Sequence, residues 1–269
     1  MHKVISKDGT SIAYDRVGDG PALIHVLGAT ATRGLAAQQG DLEGDTPFTT
    51  YVYDRRGRGD SGDSPDTPTH AVEREIDDLE AVIDAAGGAA FVFGHSSGAV
   101  LALRAAAKLG DKIKKLALYE PPFILDDSRP SIPDDYVTHL RKLIADGQPE
   151  AALEYFMTVA VGIPAEYIGG MKQAPFWASS VAVAHTISYD GEIMGDTMYG
   201  DPASLAEFAG ITTPTLVMVG SASPPYQQNA VETLAKILPN AQYRSMAGQD
   251  HGIAPEVLNP ALIEFFWGD

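Results

Sequence analysis

The sequence GHSSG at residues 94–98 places Ser96 at the centre of the pattern Gly-x-Ser-x-Gly, and the adjacent Ser97 does not fit that register. An apolar, aromatic-rich run precedes the pattern and an alanine-rich run follows it, which predicts a short strand, a tight turn and a helix. On such a turn the serine hydroxyl points out above the sheet, and glycine is needed on both sides because a side chain would clash with the sharply bent backbone. The pattern therefore predicts a serine that is presented for nucleophilic chemistry.

The elements that must position this serine alternate along the chain. Short apolar runs typical of strands are separated by helical patterns; the runs lie at residues 22–27, 51–53, 91–93, 116–119 and 215–219, and the helical patterns at 72–86, 99–109 and 227–238. This alternation predicts a mostly parallel sheet covered by helices on both faces. Two short segments around an Asp-Gly turn at residues 7–10 predict an opening hairpin.

The alternation breaks between residues 122 and 208, where two amphipathic helical patterns follow each other with no strand between them. We interpret this stretch as an inserted helical cap, after which the sheet resumes at residue 215. The predicted domains are therefore a core of residues 1–121 and 209–269 and a cap of residues 122–208.

Composition limits the classes of function. The chain has 269 residues, of which 45% are hydrophobic, enough for a sizeable core. Its net charge of -17 repels phosphate backbones and anionic lipid, so we predict no nucleic-acid partner and no membrane partner. The absence of cysteine excludes disulfides, thiolate nucleophiles and cysteine-based metal sites. The N-terminal sequence lacks an apolar signal-peptide core and no apolar run reaches membrane-spanning length, so a soluble cytoplasmic protein is expected.

Several features of the whole chain resemble the α/β-hydrolase fold family: the GHSSG turn, the YDRRGRGDSGD loop after the fourth strand, the cap insertion, and the sequence AGQDHG near the C-terminus. The resemblance implies a mostly parallel eight-stranded sheet with helices on both faces and an inserted helical cap. It also implies a catalytic triad, in which the serine attacks an acyl carbon, a histidine takes the serine proton and a carboxylate fixes the imidazole tautomer.

The histidine of such a triad is predicted to be His251. It lies in a glycine-bounded loop between the last strand pattern and the last helix, and loops at the C-terminal ends of parallel strands are where these sheets build their sites. His25 and His95 are near enough to line the pocket but are predicted to be packed, hydrogen-bonded residues. The seven histidines show no metal-ligand spacing, so no metal site is predicted.

The acid of the triad is predicted to be Glu120. In most members of the family it follows the strand that reads TLVMVG here, at the position of Ser223, but residues 220–231 contain no Asp or Glu. Asp250 is adjacent to His251, and neighbouring side chains diverge. Glu120 ends the preceding strand, whose tip lies beside the nucleophile turn in this fold, and haloalkane dehalogenases and zearalenone-type lactonases place the acid there.

Two backbone N–H groups are needed to bind the developing oxyanion. One is predicted to come from Ser97, directly after the nucleophile. The other comes from the loop HVLGATATRG, where Gly28 is the first candidate and Ala29 the second.

A second glycine motif is set aside. The sequence GRGDSG at residues 57–62 matches the dinucleotide fingerprint Gly-x-Gly-x-x-Gly, but that motif must open a helix directly and Pro65 and Pro68 intervene. We therefore predict no cofactor.

The predicted function is a cofactor-free serine hydrolase that cleaves a small-molecule carboxylic ester or lactone through an acyl-enzyme on Ser96. A serine in this position, rather than an aspartate, argues against dehalogenase or epoxide-hydrolase chemistry. The alternative is a catalytically weak ligand-binding or biosynthetic-pathway protein on the same scaffold. The prediction leaves a homodimer open.

Two sequences resemble zearalenone-type lactonases in particular: PFWASS, which puts Trp177 in the cap, and GSASPP, which replaces the usual acid loop. The resemblance implies a bulky, apolar, aromatic-bearing substrate, with Trp177 as a pocket wall. The competing interpretation places Trp177 in the core of the cap.

Overall fold

A sheet of eight strands runs through the residues that the computed structural model describes, 1–38 and 46–268. The strands are β1 His2–Ile5, β2 Ser11–Val17, β3 Ala22–Val26, β4 Thr49–Tyr53, β5 Ala90–His95, β6 Ile113–Tyr119, β7 Thr215–Gly220 and β8 Ala241–Met246. Their spatial order is β1-β2-β4-β3-β5-β6-β7-β8. The pairs β1–β2 and β2–β4 are antiparallel and the other five pairs are parallel. The predicted mostly parallel sheet of eight strands is confirmed.

Helices cover both faces of this sheet. The α-helices of the described chain, including those of the stretch predicted as a cap, are α1 Arg33–Gln38, α2 Thr67–Ala85, α3 Ser97–Leu109, α4 Tyr136–Ala145, α5 Pro149–Tyr155, α6 Ala165–Met171, α7 Pro175–Ala182, α8 Ile187–Met194, α9 Pro225–Ile237 and α10 Pro255–Trp267. Because successive strand side chains point to opposite faces, Ile24 and Val92 share a buried cluster with residues of α2 and α3. Their neighbours Leu23 and Phe93 share another with residues of α10.

The stretch predicted as a cap, residues 122–208, contains helices and no strand in the described chain. Helices α4 to α8 belong to it, and α8 packs against α2 and α3. The division of the chain into core and cap stays a prediction. Within residues 1–38 and 46–268, no helix is both long enough and apolar enough to cross a membrane.

The loop after β4 joins this helical stretch to the sheet through buried charges. Arginine is almost never fully buried unless it is paired, yet three arginines of this loop are at most 1% exposed. The pairs are Arg55 with Glu75 and Asp190, Arg56 with Asp8 and Asp78, and Arg58 with Asp190. Because Asp190 lies in α8, two of these arginines tie the helical stretch to the loop. The glycine motif at residues 57–62 lies in the same loop and includes Arg58. It does not open a helix, since α2 begins at Thr67.

The turn between β5 and α3 depends on glycine. A Cβ atom on Gly94 would lie 2.6 Å from the Cα of Ala99, and one on Gly98 would lie 2.2 Å from the carbonyl oxygen of Val26. Both contacts are with backbone, which cannot move aside as a side chain could. The two glycines of the pattern are therefore required by the packing of α3 against β5 and β3.

We expect Gly98→Ala to destabilise the fold by about 1–3 kcal/mol, the usual cost of forcing extra atoms into a packed site. Gly169 is the matched control, because it lies in α6 and a Cβ there would meet nothing within 4 Å. Gly169→Ala should leave stability equal or slightly higher, since alanine favours a helix over glycine. Chemical unfolding of both variants measures the difference, and equal stabilities would contradict the packing argument.

Candidate active site

Ser96 lies at the turn between β5 and α3 with φ 57° and ψ −128°, in the left-handed region that side-chain-bearing residues rarely adopt. Its N–H donates to the carbonyl of Tyr119 at the end of β6 (2.9 Å). The bend brings Ser96 close to the loop after β3, where a Cβ on Gly28 would lie 3.1 Å from Ser96 Cβ and 3.6 Å from Ser96 Oγ. Ser96 thus lies between the ends of β3, β5 and β6.

Backbone strain in the described chain is concentrated around this serine. The non-glycine residues with positive φ there are Thr30, Ser96 and Glu120, with φ 58°, 57° and 48°. Each lies in a loop at the C-terminal end of a different parallel strand, β3, β5 or β6. Strained residues persist only where the surrounding structure over-determines them, and they cluster at functional sites. Strain in these three loops therefore marks this edge of the sheet as the candidate site.

His251 and Glu120 are within hydrogen-bond distance at this edge, with 2.7 Å between Nδ1 and Oε2. Glu120 is 1% exposed, and its other oxygen, Oε1, accepts from the N–H of Gly220 (2.8 Å) and from the hydroxyl of Ser223. An ionised carboxylate only accepts hydrogen bonds. In the neutral imidazole, Nδ1 therefore carries the proton and Nε2 is left as an acceptor.

The other carboxylate near His251 bonds within its own loop and not to the ring. Asp250 Oδ1 accepts from the N–H of Gly252 (2.9 Å), within the same loop. Ser223, at the position where most relatives carry the acid, is 4% exposed and donates to Glu120 instead. The structure thus brings His251 and Glu120 together and gives Asp250 and Ser223 other partners.

Two side chains hold the loop that carries His251. The hydroxyl of Tyr119 donates to the carbonyl of Asp250, and Nε2 of His95 bonds to the carbonyl of His251 (2.9 Å). Because a carbonyl only accepts, Nε2 of His95 must carry a proton. Burial, with His251 and His25 nearby, lowers the pKa of His95 to about 3, so the ring stays neutral.

His25 is packed, as predicted, with its ring centroid 4.8 Å from that of Phe93. Burial lowers its pKa to about 4. The predicted hydrogen bond of its ring is not seen within the described residues, and the buried Nε2 has no partner there.

A cavity of 240 Å³ opens onto Ser96, Glu120 and His251. Its remaining lining is mostly apolar: Ala29, Ser97, Pro122, Ile124, Ile132, Tyr136, Phe156, Ala160, Val161, Asp190, Gly191, Met194, Met198, Pro224, Tyr226 and Gln227. None of these lining residues, all within the described chain, is a lysine or an arginine. In residues 1–38 and 46–268, no group of three or more His, Asp or Glu side chains is placed to hold a metal ion.

The predicted oxyanion donors lie beside this cavity. Ser97 is the first residue of α3, so its N–H has no partner within the helix, and both Ser97 and Ala29 line the cavity. The carbonyl of Gly28 accepts from Nη1 of Arg58 (3.0 Å). Neither the N–H of Gly28 nor that of Ala29 donates to another described residue.

Trp177 is not brought to this cavity. Its side chain belongs to α7, is 5% exposed, and donates from Nε1 to Glu150 (3.1 Å) within the helical stretch. The aromatic side chains that line the cavity are Tyr136, Phe156 and Tyr226. Phe156 opens a π-helical turn, Phe156–Ala160, a local distortion that frequently occurs at functional sites. Nothing in the sequence pattern indicates this distortion.

Because His95 stays neutral in the folded protein, it makes the stability of the fold depend on pH. The pKa of His95 is lowered to about 3 in the folded protein. In the unfolded chain the same ring takes up a proton near its ordinary pKa of about 6.5. The free energy of unfolding should therefore fall as the pH falls from about 6.5 towards 3.

We expect His95→Gln to make this fall shallower, because the amide can still donate to the carbonyl of His251 but does not titrate. Urea unfolding of both proteins at several pH values between 7 and 4 measures it. An unchanged slope would show that His95 does not contribute.

Comparison with known proteins shows to which family the chain belongs. Residues 22–261 match the family model described as "Alpha/beta hydrolase family". The chain is 50% identical to an alpha/beta hydrolase of solved structure from Sphaerobacter thermophilus, with a TM-score of 0.89 over 98% of this chain and 100% of that one. It is 25% identical to the 2-(acetamidomethylene)succinate hydrolase of Mesorhizobium japonicum over 92% of this chain and 88% of that protein. It is also 37% identical to the N-formylmaleamate deformylase of Pseudomonas putida, over a stretch that spans only 44% of each. The chain belongs to the alpha/beta hydrolase family.

Proposed function

We propose that this protein is a serine hydrolase in which Ser96, His251 and Glu120 cleave a neutral, apolar carboxylic ester or lactone without a cofactor. The observation that carries the proposal is the contact of 2.7 Å between His251 Nδ1 and the buried Glu120, on the wall of the cavity that Ser96 also lines. A buried carboxylate on Nδ1 leaves Nε2 to act as the base that a serine nucleophile needs.

The reaction follows from these groups. Ser96 Oγ attacks the acyl carbon while Nε2 of His251 takes its proton, and Glu120 stabilises the imidazolium that results. The oxyanion is bound by the N–H of Ser97 and by an N–H of the loop after β3. The imidazolium then protonates the leaving alkoxide. Water, deprotonated by His251, attacks the acyl-enzyme, and the acid leaves with Ser96 restored.

The cavity wall supports a neutral substrate. Two of the three relatives named above are an N-formylmaleamate deformylase and a 2-(acetamidomethylene)succinate hydrolase, and both of these names denote carboxylate-bearing compounds. A carboxylate in this cavity would meet no lysine or arginine on the described wall. Arg55 and Arg58, which contact the lining residue Asp190, are already bonded to it. Arg129 contacts the ring of Tyr226, but its two terminal nitrogens already donate to the carbonyls of Val159 and Ala160. An unpaired charge is costly to bury, so we propose that this chain takes an uncharged acyl compound.

The cavity volume supports a smaller substrate than the sequence resemblance implies. Its 240 Å³ lies below the roughly 300–1,000 Å³ of pockets that take drug-sized ligands. An ester or lactone with one aromatic ring fits this volume better than a large macrolactone. The apolar side chains of Ile124, Phe156 and Met198 would contact its hydrocarbon part.

The triad is tested by labelling and by three variants. A fluorophosphonate should label the wild-type protein at Ser96. Glu120→Gln should remain folded and lose about 10⁴-fold in kcat, as when a triad acid is neutralised with its geometry kept. Asp250→Asn should keep most of the activity, because Asp250 bonds its own loop. In the Glu120→Gln background, Ser223→Asp should restore part of the rate, since Ser223 Oγ already contacts Glu120.

Two outcomes would contradict the triad. A folded wild-type protein that resists labelling would favour a catalytically weak ligand-binding protein. A near-normal kcat in Glu120→Gln would remove Glu120 from the mechanism while leaving Ser96 as the nucleophile.

The preference for a neutral substrate is tested with a matched pair of esters. p-Nitrophenyl butanoate and mono-p-nitrophenyl succinate differ in that a carboxylate replaces the terminal methyl group. We expect kcat/KM to be about 100-fold higher for the butanoate, because the carboxylate would be desolvated without a partner. Met198→Lys should reduce the ratio of the two kcat/KM values, because the ammonium group can pair with the carboxylate. Met198→Leu keeps the wall apolar and should leave this ratio unchanged. Equal kcat/KM values for the two esters in the wild-type protein would contradict the proposal.

A further inference from the structure

We propose that Arg58, held by Asp190 of α8, is a positioning residue that orients the Gly28–Ala29 peptide so that the N–H of Ala29 serves as the second oxyanion donor. The inference rests on the proposed function, because an oxyanion forms only if Ser96 attacks an acyl carbon.

Asp190 binds groups beside both predicted oxyanion donors. Its Oδ1 accepts from the hydroxyl of Ser97 (2.8 Å) and from Nη1 of Arg55 (2.8 Å), and its Oδ2 accepts from Nη2 of Arg58 (2.7 Å). Burial opposes ionisation of this carboxyl, but the two guanidinium groups outweigh it and hold the pKa of Asp190 below its usual range. Asp190 therefore remains a fixed anion between the two arginines.

Arg58 has no freedom to move within this arrangement. It is 1% exposed. Besides Asp190, its Nε donates to Oγ1 of Thr186 (3.0 Å) and its Nη1 donates to the carbonyl of Gly28 (3.0 Å). A planar guanidinium bonded on three sides fixes each partner relative to the others. The carbonyl of Gly28 is thus held in one direction by a buried cation.

The direction of that carbonyl determines the direction of the next N–H. The described chain has no cis peptide bonds, so the carbonyl of Gly28 and the N–H of Ala29 lie on opposite sides of one planar unit. The carbonyl faces Arg58, and the N–H therefore faces away from it. Ala29 lines the cavity, and the Cα of Gly28 is next to Ser96. The guanidinium also polarises the peptide, which strengthens the N–H as a donor.

Contacts of the two neighbouring peptide carbonyls favour Ala29 over Gly28 as the donor. The N–H of Gly28 belongs to the Leu27–Gly28 peptide, whose carbonyl has a longer contact with Arg55 (3.3 Å). Arg55 is committed to Glu75 by two hydrogen bonds of 2.6 and 2.7 Å. Gly28 is also absent from the residues that line the cavity, whereas Ala29 is present.

A conservative variant with a matched control tests the positioning role. In Arg58→Lys, an ammonium group replaces the planar guanidinium that bonds Gly28, Asp190 and Thr186. The charge is kept, but the fixed geometry of the three bonds is lost. Arg56→Lys is the control, because Arg56 is 0% exposed in the same loop but pairs with Asp78 and has no contact with Gly28. Both variants should lose stability.

The kinetics should separate the two variants. Arg58→Lys should lower kcat by about 10- to 100-fold, as expected when a catalytic group is misplaced by about 1 Å, with little change in KM. Its affinity for a phenylboronic acid, which forms a tetrahedral adduct on the serine, should fall by the same factor as kcat/KM. Its affinity for a neutral amide that does not react should stay unchanged. Arg56→Lys should keep kcat and both affinities near wild type.

A backbone substitution tests the donor itself. Lactic acid in place of Ala29 replaces its N–H with an oxygen and should lower kcat by about 10²- to 10³-fold, the usual effect of removing one oxyanion donor. Glycolic acid in place of Gly28 should have a much smaller effect. If instead the change at Gly28 is the damaging one, or if the two lysine variants lose kcat equally, the inference is wrong. A wild-type protein that fails to react with a fluorophosphonate would overturn the proposed function itself.

Discussion

Glu120 provides the contact on which the candidate site depends. A carboxylate buried at the end of a strand must find partners for its oxygens, and this one has three: the ring of His251, the N–H of Gly220 and the hydroxyl of Ser223. These partners come from β7, from the loop after β7 and from the loop after β8. One buried anion therefore fixes the relative positions of three segments that are far apart in sequence, and it sets the tautomer of His251.

The second constraint is the sheet itself, which supplies one edge for all the reacting groups. Parallel strands β3, β5, β6, β7 and β8 end on the same side, so their loops meet there. The strained residues Thr30, Ser96 and Glu120 lie in three of these loops, and the N–H of Ser96 is bonded to the end of β6. Buried ion pairs through Asp190 then bind the helical stretch of residues 122–208 to the same edge.

Some of this could be predicted from the sequence because it depends on local pattern. The turn at Ser96 follows from glycine spacing between an apolar run and an alanine-rich run, and the sheet follows from alternating strands and helices. The pairing of Glu120 with His251 could be predicted only with the resemblance to the α/β-hydrolase family, which supplies the strand order and a carboxylate at the end of this strand. The two residues follow β6 and β8, which are separated by β7, so alternation of strands and helices alone would not have brought them together.

The features that the sequence could not indicate depend on side-chain packing. Trp177 turns into the helical stretch because of which face of α7 is buried, and no strand order determines that face. The contact of Arg58 with Asp190 joins residues 132 positions apart. The local sequence around either residue does not indicate that the other is its partner. The choice between Gly28 and Ala29 requires the direction of one carbonyl, which only the bond to Arg58 reveals.

The decisive measurement is a crystal structure of the protein after reaction with a fluorophosphonate, because it shows both which residue is the nucleophile and what holds His251. We expect a phosphorus atom on Ser96 Oγ, and a phosphoryl oxygen about 2.7–3.1 Å from the N–H groups of Ser97 and Ala29. We also expect Nδ1 of His251 to remain on Glu120. A phosphoryl group on another residue, or an imidazole turned from Glu120 to Asp250, would contradict the proposed triad.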